Sequence, residues 1–196
     1  MKFLTKKADS EIYTQGYTYK INGDNSILRG MLLLEQNNFC AYSEKYIEEL
    51  DAVEVEHFNP SLKGNDDYFN YYTALRECNA NNKKMYPVYQ GSSFFDTLFF
   101  QNRQEFNSRI EYQKGQYQEI NQTDTEAIEL IAFLGFNRTP LHKQRQNHIK
   151  RLKEVFDNGN YSETQRLEHF RKHRQDLNFI TAIENELELD LSEFYN

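Results

Sequence analysis

Residues 53–84 read VEVEHFNPSLKGNDDYFNYYTALRECNANNKK. From Asp51 to Phe58 apolar and acidic residues alternate, the period of a half-buried strand. Asn59-Pro60 ends that strand, because proline has no N–H to give to a ladder. Ser61 to Asp67 is a polar loop around Gly64. Phe69 to Leu75, rich in aromatics with a threonine, predicts a second short strand. A short helix is expected from Asn79 onward. Three polar residues mark this strand–loop–strand–helix order. His57 closes the first strand, Asn70 follows it by 13 residues, and Asn79 follows Asn70 by 9.

Those residue types carry a definite chemistry. Mg²⁺ prefers oxygen ligands and keeps most of its waters, so one or two protein oxygens are enough. Glu56 offers a carboxylate and Asn79 a side-chain carbonyl. A neutral imidazole is a competent base near neutral pH. One divalent cation beside one general base can cut a phosphodiester bond.

The spacing resembles the His–Asn–Asn core of the HNH nuclease superfamily. It is most similar to the branch that reads C-x-Y-C-E, then E-H-F-x-P, then N-L, then C-N-x-x-K. Here those positions are Cys40-Ala41-Tyr42-Ser43-Glu44, Glu56-His57-Phe58-Asn59-Pro60, Asn70-Tyr71 and Cys78-Asn79-Ala80-Asn81-Asn82-Lys83. The match covers Phe39 to Lys84, with a fainter likeness from Asp124 to Asn137 and at Leu141 and Arg145. The resemblance implies an α+β fold: a small ββα-metal core embedded in a mainly α-helical chain. It implies catalytic roles for His57, Asn70 and Asn79. His57 is then the general base, Glu56 and Asn79 serve Mg²⁺ or Mn²⁺, and Asn70 holds the loop that positions the histidine. Many members carry two C-x-x-C knuckles around a structural zinc. Here Ser43 and Leu75 stand at two of the four positions, so no structural zinc is expected. Members of the branch act as nuclease subunits in bacterial anti-phage systems such as Septu and some retrons, paired with an ABC-type or related ATPase. DNA and such an ATPase are the partners this implies. A free-standing HNH nuclease, or an inactive ββα module that docks on a larger partner, are the alternatives.

Charge bears on the DNA reading. The net charge is −7, and Glu44 to Asp67 alone holds eight acids against two lysines. From Arg138 to Lys153 there are six bases and no acid. The candidate DNA contacts are therefore Lys83 and Lys84 beside the motif, and Lys143, Arg145, Lys150 and Arg151 further on. Helical side chains point around a full circle, so the six bases of that run do not all face one duplex.

The rest of the chain reads as one nuclease region, 1–90, and one helical region, 91–196, or as one continuous domain. Tyr13 to Ile21 alternates loosely and predicts a short strand or extended arm. Asn25-Ser26 precedes a helix to about Glu35, with Ile27, Met31 and Leu34 at helical spacing. Ile110 to Ile120, with a central Gly115, suggests a hairpin. Thr123-x-x-Glu126 reads as a capping box, and Gly135 as a helix stop. A helix spans Leu141 to Phe156. A second box, Ser162-x-x-Gln165, opens a long helix toward Leu189. His142, His148, His169 and His173 lack a third ligand at metal spacing and read as ordinary helix residues. The acidic tail from Glu184 to Asp190 reads as a solvated helix end. No apolar run approaches the ~20 residues of a membrane span, and Met1 to Thr14 lacks the apolar stretch of a secretory signal. With two cysteines and no disulfide framework, the cytoplasm is the expected compartment.

Overall fold

The computed structural model describes residues 1–78 and 98–196. Asn79, Lys83 and Lys84, and the helix expected from Asn79, lie outside the described residues. Within them the chain is α+β, with helices around two antiparallel hairpins.

Strands β1 (Val53–His57) and β2 (Tyr71–Leu75) pair in register, Val53 with Leu75 through His57 with Tyr71. Residues 76–78 are already helical, so the chain leaves β2 directly into a helical turn. No strand forms between Tyr13 and Ile21, and residues 17–20 carry neither helix nor strand. Helix α1 (Glu11–Thr14) takes the start of that stretch, because the Ser10 hydroxyl accepts from the Ile12 N–H and caps it. Helix α2 (Ser26–Glu35) forms where the sequence places it, and of the three apolar positions at helical spacing only Met31 packs against the inner cluster. Leu28 and Leu32 pack with Ile12, Tyr68 and Tyr71, while Ile27 and Leu34 are 67% and 74% exposed.

Helix α3 (Arg103–Arg109) leads into β3 (Ile110–Gln113) and β4 (Gln116–Glu119). Their two-residue turn uses Lys114 at φ +47° and Gly115 at φ +89°, as a tight hairpin requires. The tip is not loose. The Gly115 carbonyl accepts from His142 Nδ1 at 2.8 Å and from Arg145 at 2.7 Å. Helix α4 (Thr125–Leu134) is capped by Asp124 rather than by Thr123. The Asp124 carboxylate accepts from the Ala127 N–H and also pairs with Arg109, a combination that threonine does not offer. Gly135 ends the helix in the left-handed region, at φ +62°.

Helix α5 (Thr139–Asn158) buries Leu141, Arg145, Ile149, Leu152 and Phe156 along one stripe. The second capping box is present in full at Ser162 and Gln165, opening α6 (Glu163–Lys172). The single long helix expected beyond it is broken. A 3₁₀ turn covers Arg174–Leu177, Phe179 adopts φ +65°, and α7 spans Ile180–Leu187. Tertiary bonds explain the break: the Asn178 side chain accepts from the Tyr46 N–H, and the Phe179 N–H donates to the Glu44 carbonyl. The acidic tail is not simply solvated. Glu184 pairs with Lys2, and Glu186 with Lys153.

The two large apolar clusters each draw on both halves of the chain. One joins Leu4, Phe58 and Tyr72 to Phe106, Leu130 and Phe136. The other joins Phe3 and Phe39 to Leu152, Phe170 and Ile183. Glu44 links the halves by polar bonds. It is 1% exposed, at φ +58°. Its carboxylate accepts from Thr181 N and Oγ1, Tyr117 Oη and Lys2 N. No described helix is long and apolar enough to cross a membrane.

Burial alone raises the Glu44 carboxyl, but the chain's amino group, the Lys2 N–H and ammonium, and Thr181 together bring it below the usual glutamate range. The folded form is thus the weaker proton binder. The stability this supplies is complete above the ordinary glutamate pKa and is lost as pH falls through the depressed folded value. Glu44→Ala strands several buried donors and should cost about 3–5 kcal/mol in urea unfolding near neutral pH. The same variant should lose part of the wild type's decline in stability on acidification. An unchanged urea midpoint would remove Glu44 from its linking role.

Candidate active site

The site is built on the loop that joins β1 to β2. Asn70 closes that loop on itself. Its amide oxygen accepts from the Asn59 N–H at 2.7 Å, and its NH₂ donates to the Asn59 carbonyl at 3.0 Å and to Asp66 Oδ2 at 2.6 Å. The Phe58 N–H meets the Asn70 carbonyl at 2.9 Å. Inside the loop lies Asp66, with its side chain 1% exposed. Asp66 Oδ2 lies 2.5 Å from His57 Nδ1. Its carbonyl accepts from Tyr71 Oη at 2.7 Å.

Asp66 thus orients the histidine. Burial pushes its carboxyl up, but hydrogen bonds from His57 and Asn70, the charge on His57 and the Gly64 N–H bring it below the usual aspartate range. An ionised carboxylate only accepts, so the proton in this bond belongs to Nδ1. The neutral ring then carries its lone pair on Nε2, a buried atom. Two aromatic edges fix the ring plane: Tyr19 at 4.5 Å and Tyr71 at 5.4 Å between centroids, both near perpendicular. Motif spacing does not single out Asp66 or Tyr19. The Asp66-Asp67 pair in an otherwise small polar loop is the one sequence signal, and Tyr19 reaches the site through tertiary packing.

Glu56 is 6% exposed, one residue before His57 and opposite Tyr72. Its carboxylate supplies the hard oxygens a divalent cation takes. Adjacent strand residues alternate faces, so Glu56 is not among the bonded neighbours of the imidazole. Among the described residues no group of three or more His, Cys, Asp or Glu side chains could hold a metal.

The four knuckle positions converge. Cys40 and Cys78 are both buried free thiols in one apolar cluster with Leu75, and Ser43 is buried as well. The Leu75 N–H lies 3.5 Å from Cys40 Sγ. This is a thiol pair with a hydroxyl and an apolar side chain, two thiolates short of a tetrahedral sulfur site.

The candidate DNA contacts fare unequally. Lys143 is exposed, Lys150 pairs loosely with Glu154 at 3.8 Å, and Arg151 pairs with Asp176 at 2.5 Å. Arg145 must be withdrawn from that set. It is 2% exposed and spends its guanidinium on the Gly115 and Phe136 carbonyls. A cavity of about 700 Å³ lies away from His57, between α2 and the 46–53 segment.

The His57–Asp66 pair has its own test. Imidazole ¹⁵N spectra of the wild type should show the Nδ1–H tautomer, and Asp66→Leu should lose that preference. A wild-type spectrum dominated by the Nε2–H form would break the assignment of Nε2 as the reactive nitrogen.

Comparison with protein-family models, with curated proteins and with solved structures yields no match to this chain.

Proposed function

We propose that this chain is a metal-dependent HNH DNA endonuclease that hydrolyses phosphodiester bonds. The observation that carries this reading is an oriented histidine at the end of a β-hairpin, held through Asp66 by a loop that Asn70 closes. His57 Nε2 takes a proton from the attacking water. Asp66 favours the imidazolium that results, because its charge lies against Nδ1 and is shielded from solvent. Asn70 acts as a positioning residue, since both its amide donors and its oxygen are committed to the loop. Glu56, with Asn79, would hold the Mg²⁺ or Mn²⁺. When bound, the cation stabilises charge developing on the phosphate and the leaving oxygen.

The working context we infer is a bacterial anti-phage system in which an ABC-type or related ATPase controls the nuclease. The support is electrostatic. Of the basic residues on α5 proposed to meet DNA, one is buried and two are paired with acids. A phosphate-tracking protein needs several cationic contacts, so a partner that helps bring DNA to His57 suits this surface.

Plasmid cleavage with Mg²⁺, abolished by EDTA, is the primary test. His57→Ala should lose about 10²–10⁴-fold in rate, the usual worth of a positioned base, with the fold kept though less stable, since Asp66 loses its partner. Wild-type nicking by that variant would sink the proposal. Glu56→Ala should move the Mg²⁺ titration of cleavage to higher concentration. Elemental analysis after dialysis should find no stoichiometric zinc; one zinc per chain would demand a ligand set other than the two cysteines.

A further inference from the structure

His57 is 5% exposed, and its Nε2 is buried. A base that takes its proton from water needs that nitrogen within reach of solvent. The protein in this form is therefore closed at the imidazole.

One segment that meets the ring is 15–24, which joins α1 to α2. From 15 to 24 every residue except Tyr19 is exposed. Tyr19 turns its ring edge-on to the imidazole, at 81° and 4.5 Å between centroids. Its N–H donates to Tyr71 Oη at 3.3 Å, the hydroxyl that itself donates to the Asp66 carbonyl. From the β1–β2 loop, the Lys63 ammonium lies 5.2 Å from the Tyr19 ring centre. Ile21 reaches the same loop: its Cδ1 is 3.3 Å from where a Cβ on Gly64 would stand. The segment thus lies across the loop that orients His57.

The bonds that shape the segment are separate from those that seat it. The Tyr17 N–H closes on the Ile12 carbonyl at 2.9 Å, and the Gly23 N–H on the Lys20 carbonyl at 3.1 Å. The Asn25 side chain, at the start of α2, accepts from the Lys20 N–H at 2.8 Å and donates to the Lys20 and Gly23 carbonyls. None of these bonds involves the site, so the 20–23 turn keeps its form when Tyr19 leaves the imidazole. What seats it is one aromatic edge, one long hydrogen bond, one exposed cation over a ring and one apolar tip. Each is a weak contact, and segments with few buried apolar contacts are the ones that open locally.

We propose that residues 15–24 form an autoinhibitory strap. Seated through Tyr19, it shields the imidazole of His57; lifted, it opens the site. That the shielded group is a catalytic base rests on the nuclease reading, whereas the shielding itself does not.

The test labels the full chain with diethyl pyrocarbonate, which acylates accessible imidazole, and follows each histidine by mass spectrometry. Rates are taken on the high-pH plateau, and exposed His173 is the internal reference. In the wild type His57 should react far more slowly than His173. Tyr19→Ala should speed His57 by about five- to tenfold, the population shift that loss of one aromatic contact produces. Ile21→Ser and Lys63→Gln change exposed residues and should speed it by about two- to threefold, which keeps the test available if Tyr19→Ala does not fold. Lys20→Gln, on the same strap, should leave the rate alone. Plasmid cleavage with Mg²⁺ by Ile21→Ser should rise by the same factor as its labelling. Faster labelling in chains that do not cut DNA leaves the strap standing and removes the nuclease reading. Faster labelling with active but unaccelerated cleavage overturns the inhibitory role. If wild-type His57 reacts as fast as His173, or at one rate in every variant, there is no strap, whatever the cleavage.

Discussion

The buried carboxylate of Glu44 is the constraint around which the two ends of the chain are arranged. A charge removed from water must be repaid by close donors, or the fold does not keep it. Here the donors come from the N-terminal segment, from β4 and from the first turn of α7. Segments distant in sequence converge because one small group needs all of them. Its carbonyl continues the pattern by taking the Phe179 N–H, which fixes where the C-terminal helices divide.

That convergence separates what local sequence reveals from what it conceals. β1 and β2 are legible because alternation is a local signal, and the Asn59-Pro60 stop is chemical. The Ser162–Gln165 box is legible for the same reason, since both of its bonds lie within one turn. The break between α6 and α7 is not. Its causes are Tyr46 and Glu44, over 130 residues away. The inward face of α2 was concealed too. Ile27 and Leu34 are as apolar as Leu28 and Leu32, and only the position of the β-hairpin decides which pair is covered. Arg145 stands in a basic run by sequence, yet two carbonyls exposed by neighbouring turns draw it inside.

The candidate site follows the same division. His57, Glu56 and Asn70 were legible as residue types at a spacing. Asp66 was not, because a loop aspartate has no periodicity and reads as solvent-facing. Its importance comes from the loop geometry: the bonds from Asn70 to Asn59 shape a loop that places one carboxylate against the ring. The motif supplies the histidine, and the residues between its letters set that ring's orientation.

The pinned tip of the β3–β4 hairpin bears on how the protein can be handled. Loop tips are usually the places where chains tolerate insertions, tags or new termini. At Gly115 that expectation reverses. A side chain there would bring its Cβ to 3.0 Å from the His142 ring, in a backbone conformation already suited to glycine. An insertion would also move the carbonyl away from both His142 and Arg145, leaving a buried guanidinium short of an acceptor. The turn works as a rivet between a sheet and a helix. A reporter or a split point belongs instead on the outer face of α5, near Lys143 or Lys150, where side chains already stand in water.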